Sequence, residues 1–91
     1  MIAGCMKEDK RVAEARRSWA EAAAAVERKD MSAAHDAYRR AVELLNEHGT
    51  RQERVRCHRE WVEALRSHGQ DERALEAFQL ASDLALTRQD R

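Results

Sequence analysis

Residues 34–44 read AHDAYRRAVEL, and residues 74–84, forty positions later, read ALEAFQLASDL. Alanine, aromatic, alanine and leucine recur in one order, at Ala34, Tyr38, Ala41 and Leu44 and again at Ala74, Phe78, Ala81 and Leu84. Steps of four, three and three residues keep these side chains on one face of a helix and would scatter them over both faces of a strand. The upstream segments correspond as well, since Trp19, Ala22, Ala23 and Val26 share the spacing of His58, Trp61, Val62 and Leu65. The chain therefore reads as a helix–turn–helix unit used twice, with a one-residue slip of register in the first helix–helix turn. Small alanines let two antiparallel helices approach closely, and the aromatic between them fills the space towards the neighbouring unit.

Turn and capping residues outside the two stretches set the helix ends. A first helix from Lys7 to Arg28 carries Val12, Trp19 and Val26 with Ala15, Ala22 and Ala23 between them. Asp30 is expected to cap the second helix, whose Ala34, Tyr38, Ala41, Leu44 and Leu45 line one face until Gly49, read as a left-handed terminus. Thr50-Arg51-Gln52-Glu53 is a capping box that opens the third helix, which carries Val55, His58, Trp61, Val62 and Leu65 and is stopped by Gly69. Asp71 is expected to cap a last helix burying Ala74, Leu75, Phe78, Ala81, Leu84 and Leu86. Short connections force neighbouring helices to run antiparallel. The expected fold is all-α, four main helices in antiparallel helix–turn–helix repeats, with Trp61, Leu65, Phe78 and Tyr38 among the most buried side chains. Residues 1–6 are expected to form a loose segment and 7–91 a single domain, with repeat one at about 12–49 and repeat two at about 50–88.

Composition agrees. Of 91 residues none is proline, three are glycine and seventeen are alanine, while 43% are hydrophobic and 37% charged, enough apolar content for a packed helical fold. Seventeen basic residues balance seventeen acidic ones, which removes the global positive field behind non-specific nucleic-acid binding. Fourteen of the basic residues are arginine, which suggests a GC-rich, bacterial genome and suits bidentate carboxylate recognition. Two cysteines, Cys5 and Cys57, are too few for a disulfide framework, so a reducing, cytoplasmic compartment is expected. No apolar run is long enough to span a bilayer. Ile2-Ala3-Gly4-Cys5 has the look of a lipoprotein cleavage box, but no basic segment or apolar stretch precedes it, and it is read as chance.

The residues of the two units resemble the tetratricopeptide repeat family. Trp61-Val62, Leu65, Gly69, Ala74, Phe78 and Ala81 fall on that family's spacing in the second unit, and Trp19, Ala22-Ala23, Val26, Ala34, Tyr38 and Ala41 in the first. The period of forty looks like that of extended-helix variants and overlaps HEAT-type repeats, the structural alternative. The resemblance implies an α-α superhelix, protein–protein interaction as the function, and a ligand-binding inner face made by the first helix of each unit. By position that face takes Arg17 in the first unit and Arg56, Arg59, Glu63 and Arg66 in the second, and these are the candidate partner-binding residues.

Other chemistry finds little footing. Cys57 and His58 are adjacent, about 100° apart on a helix, and His68 lies ten residues on, so no two candidate ligands in one helix have metal-binding spacing. His35 and His58 are expected to pack rather than ligate. There is no glycine-rich phosphate loop, paired carboxylate constellation or nucleophile elbow, so no catalytic residue and no cofactor is expected. Trp19 and Trp61 are read as core residues rather than exposed anchors. The expected partner is a protein or an acidic peptide, with self-association through the last helix or the open end of the first hairpin as a further expectation, because a two-unit stack leaves an apolar flank. The alternative is an obligate homo-oligomeric scaffold that binds no peptide. Direct binding of nucleic acid or membrane is not expected.

Overall fold

The computed structural model describes the backbone of residues 10–89 and the side chains of residues 10–84. Cys5, the expected loose segment 1–6 and the side chain of Leu86 lie outside the described residues. Among those described there are four helices and no strand: α1 Lys10–Glu27, α2 Met31–His48, α3 Arg51–Ser67 and α4 Asp71–Gln89. The expected all-α architecture of antiparallel hairpins is the one observed.

Alanine makes the first hairpin tight. Ala15, Ala22 and Ala25 of α1 and Ala34 and Ala41 of α2 are fully buried, so two backbones close along their lengths with no bulky side chain between them. α3 then lies across α2, sinking Cys57, Trp61 and Leu65, which recur at every fourth residue, beside the buried Tyr38, Val42 and Leu45. α4 packs on α3 through Ala74 and Ala77 and also reaches α2. Its approach to α3 is looser than that of α1 to α2, and a half-buried Val62 stands where the first hairpin has Ala23. The product is a slab of 50 × 33 × 15 Å with a radius of gyration of 13.8 Å, against about 12 Å for a compact globule of this length.

The two hairpin turns share a device that the glycine pattern only half reveals. After α1 the amides of Lys29 and Asp30 bond the carbonyls of Val26 and Ala25, and after α3 those of Gly69 and Gln70 bond Arg66 and Leu65. Both are Schellman closures, which require a left-handed residue at their first position. Gly69 supplies it at φ +73°, and forty residues earlier Lys29 takes it at φ +64°. Gly49, expected to be left-handed, is extended at φ −94°. Its reason is space, because a Cβ there would fall 2.6 Å from Leu45 Cδ2.

Caps divide the same way. Asp30 accepts from the Ala33 amide at 3.2 Å, and Thr50 and Glu53 form the reciprocal box. Asp71 is not a cap: it is the first residue of α4, and the carbonyl of Gln70 receives the Ala74 amide. There its charge favours the positive end of the helix dipole.

Trp61, Leu65 and Tyr38 are as buried as expected, but Phe78 is 59% exposed and Leu75 68%. Val55 is also exposed. Tyr38 is hidden because α3 lies over it, and no described helix lies over the matching surface of α4. In α1, Ala25 takes the inward place expected of Ala23, since the α2-facing seam runs Ala15, Ser18, Ala22, Ala25.

Candidate functional site

α3 carries the candidate surface because its two sides differ so sharply. Cys57, Trp61 and Leu65 anchor one side in the core, and helical geometry turns Arg56, Arg59, Glu63 and Arg66 to the opposite side, where all four are exposed. Arg17, Arg56, Arg59 and Arg66 form no salt bridge among the described residues.

Glu60 explains part of that. Spacing alone suggests that it neutralises the neighbouring arginines, yet Oε2 of Glu60 receives the Trp19 indole N–H at 3.0 Å and the Tyr38 hydroxyl at 2.7 Å. One carboxylate thus pins α1, α2 and α3 together. Close by, Arg16 donates to Glu53 at 2.9 Å, a second α1–α3 link. The Arg16 hydrogen bond and then the Thr50 amide hold the Glu53 carboxyl below its usual range. Burial, with the hydrogen bond to Glu60, drives the Tyr38 hydroxyl well above its ordinary value, so it remains a donor.

Trp19, Arg56, Arg59, Glu60 and Glu63 line a hollow of about 260 Å³ between α1 and α3. That is below the roughly 300–1,000 Å³ of small-molecule pockets and fits a single partner side chain. Of the five expected site residues, Arg56, Arg59 and Glu63 meet here. Arg66 borders a different hollow of about 410 Å³, between α3 and α4, with Val62, Asp71, Ala74, Leu75 and Phe78. Arg17 borders neither; its neighbour Arg16 is the residue that turns to α3. Glu60 and Arg16 had no signature in the sequence, because the partners of Glu60 lie 41 and 22 residues away and that of Arg16 lies 37 away.

His35, His58 and Cys57 are committed to packing. Nδ1 of His35 accepts from the Trp61 indole at 3.3 Å, which leaves its proton on Nε2, 3.6 Å from Glu76 Oε1. Burial lowers the His35 pKa and outweighs the opposing pull of Glu76. His58 donates from Nε2 to the Ala77 carbonyl at 3.2 Å, and burial lowers its pKa too. Cys57 is sealed in the core, where burial pushes its thiol up to about 12. Among the described residues no three histidine, cysteine or acidic side chains cluster as metal ligands, and no helix is long and apolar enough to cross a membrane. Trp61 is a core residue, and Trp19 is half-buried with its edge at the hollow.

A family model described as SNAP: Soluble NSF attachment protein matches residues 1–89. Comparison with curated proteins gives no match, and comparison with solved structures gives none.

Proposed function

Because the chain belongs to the soluble NSF attachment protein (SNAP) family, one of helical protein-interaction adaptors, we propose that it holds an acidic peptide or partner helix on the arginine face of α3 and catalyses no reaction. The observation that carries this reading is the hollow beside Trp19, where Arg56 and Arg59 stand exposed without an internal ion pair while Glu60 is held by Trp19 and Tyr38. Guanidinium groups three residues apart on one helix can engage carboxylates in a bidentate, orienting way. Each exposed pair contributes only about 0–1 kcal/mol, so an apolar side chain of the partner has to enter the hollow against Trp19. Arg66 and Arg17 extend the positive field at either end of the contact.

In this reading residues 7–91 act as a single domain of two extended tetratricopeptide-like repeats in a cytoplasmic setting. The test is titration of a synthetic acidic helical peptide against the chain and against Arg56→Gln/Arg59→Gln, at low and high salt. The proposal expects weaker binding and a flatter salt dependence in the variant. Unchanged affinity and unchanged salt dependence would leave the arginines as a solvated face. The second reading, an obligate homo-oligomeric scaffold, draws on the exposed Leu75 and Phe78. Mass in solution at several dilutions separates the two.

A further inference from the structure

Phe78 holds in α4 the place that Tyr38 holds in α2, yet Tyr38 is 2% exposed and Phe78 59%. What closes Tyr38 is a helix: α3 lays Cys57, Trp61 and Leu65 along α2, and its Glu60 takes the phenol hydrogen bond. α4 offers a comparable ledge. Leu75 and Phe78 stand open three residues apart, and Leu75 borders both the hollow against α3 and one of about 500 Å³ against α2. Val62 and Leu80, half-buried, floor the two hollows.

Charge selects the occupant. The described side chains of α4 carry Asp71, Glu72, Glu76 and Asp83 against Arg73, whose guanidinium is bonded to Ser32 Oγ at 3.1 Å, while Arg66 of α3 and Arg39 of α2, the latter paired with Glu43, line the two hollows. Spacings of four and seven residues set Glu72, Glu76 and Asp83 along one edge of the Leu75–Phe78 stripe. A two-fold antiparallel pairing of α4 with a second copy would bring this acidic edge against itself, and like charges so placed repel. A partner with a basic edge meets no such opposition. We propose that the α4 ledge binds a basic amphipathic helix of a partner protein, with its apolar residues on Leu75 and Phe78 and its lysine or arginine row along Glu72 and Glu76. The ledge meets the arginine face of α3 at Arg66, which lines the hollow beside Leu75 and Phe78, and its Glu72–Glu76 edge is opposite to that face in charge. The formal net charge of zero hides a basic face on α3 and an acidic edge on α4.

The test uses the full chain and two synthetic helical peptides of about five turns with one shared leucine stripe, flanked by lysine in the first and by glutamate in the second. Both peptides are titrated against the full chain carrying Arg56→Gln/Arg59→Gln, which neutralises the arginine face, so that their difference reports on α4. In that background the lysine peptide should bind about tenfold tighter than the glutamate peptide. Leu75→Ser/Phe78→Ser should weaken it about tenfold or more, and Glu72→Gln/Glu76→Gln should erase most of the preference while leaving the leucine-driven part. These positions are exposed, and unchanged far-ultraviolet circular dichroism would show that the variants fold. Equal affinity for both peptides in the Arg56→Gln/Arg59→Gln background would overturn the proposal, as would lysine-peptide binding untouched by Leu75→Ser/Phe78→Ser. So would a wild-type dimer that the same substitutions dissociate, because the ledge would then belong to a second copy.

Discussion

Truncating Tyr38 and Phe78 in turn to alanine compares two sites that the repeat makes equivalent and the packing makes different. An aromatic side chain buries roughly 150–250 Å², worth about 25 cal/mol per Å². At 2% exposure Tyr38 realises nearly all of it, and its loss also leaves Glu60 without a donor. The expected cost of Tyr38→Ala is about 4–5 kcal/mol, in the range of large-to-small core changes. Phe78, at 59% exposure, hides about two-fifths of its surface. Chain compaction in the unfolded state and the better helix propensity of alanine reduce that share, so Phe78→Ala should cost about 1 kcal/mol. For a chain expected to have about 5–14 kcal/mol in all, the first change removes a large part of the stability and the second a small part. Urea unfolding followed by circular dichroism, at a concentration where the protein is monomeric, gives both values from midpoints at constant slope. Costs within about 1 kcal/mol of each other, or a larger cost at Phe78, would refute the claim that α3 alone makes the difference between the two sites.

Lys29→Gly should raise stability by about 0.5–1 kcal/mol by relieving the left-handed backbone, and Gly69→Ala should lower it by about 1 kcal/mol; thermal melts of both variants check the pair. Acidification should destabilise the fold in two stages. The unfolded chain protonates its histidines near 6.5 while burial holds His35 and His58 lower, so stability is full above that pH and falls as the pH drops through it. Glu53, held below 4.5 by Arg16 and Thr50, adds a second loss below that value. Urea midpoints between neutral and acidic pH measure the slope, and His35→Gln/His58→Gln should flatten its upper stage. Cys57, with its thiol pushed up to about 12, should resist alkylation at mildly alkaline pH in a Cys5→Ser background and react readily in denaturant, as mass spectrometry will show.

Local and periodic information was legible in the sequence. The capping box at Thr50 and Glu53, the Asp30 cap, the four helices and the inward stripe through Tyr38, Trp61 and Leu65 all rest on interactions within a few residues or on the 3.6-residue period, and a sequence displays both. The arginine row of α3 was legible for the same reason, since Arg56, Arg59 and Arg66 share a face of one helix whatever lies around it. Three features waited for the tertiary structure. Phe78 and Tyr38 look alike in the repeat, and only the presence of α3 over one of them decides which is core. Glu60 looked like a neighbour for arginines, but its partners Trp19 and Tyr38 arrive from two other helices. The left-handed turn residue fell on Lys29 and not on Gly49, because a Schellman closure is set by where the hairpin must reverse. Helix formation depends on neighbours a few residues apart; burial, charge pairing and turn geometry depend on which helix crosses which, and that is decided only when the helices pack.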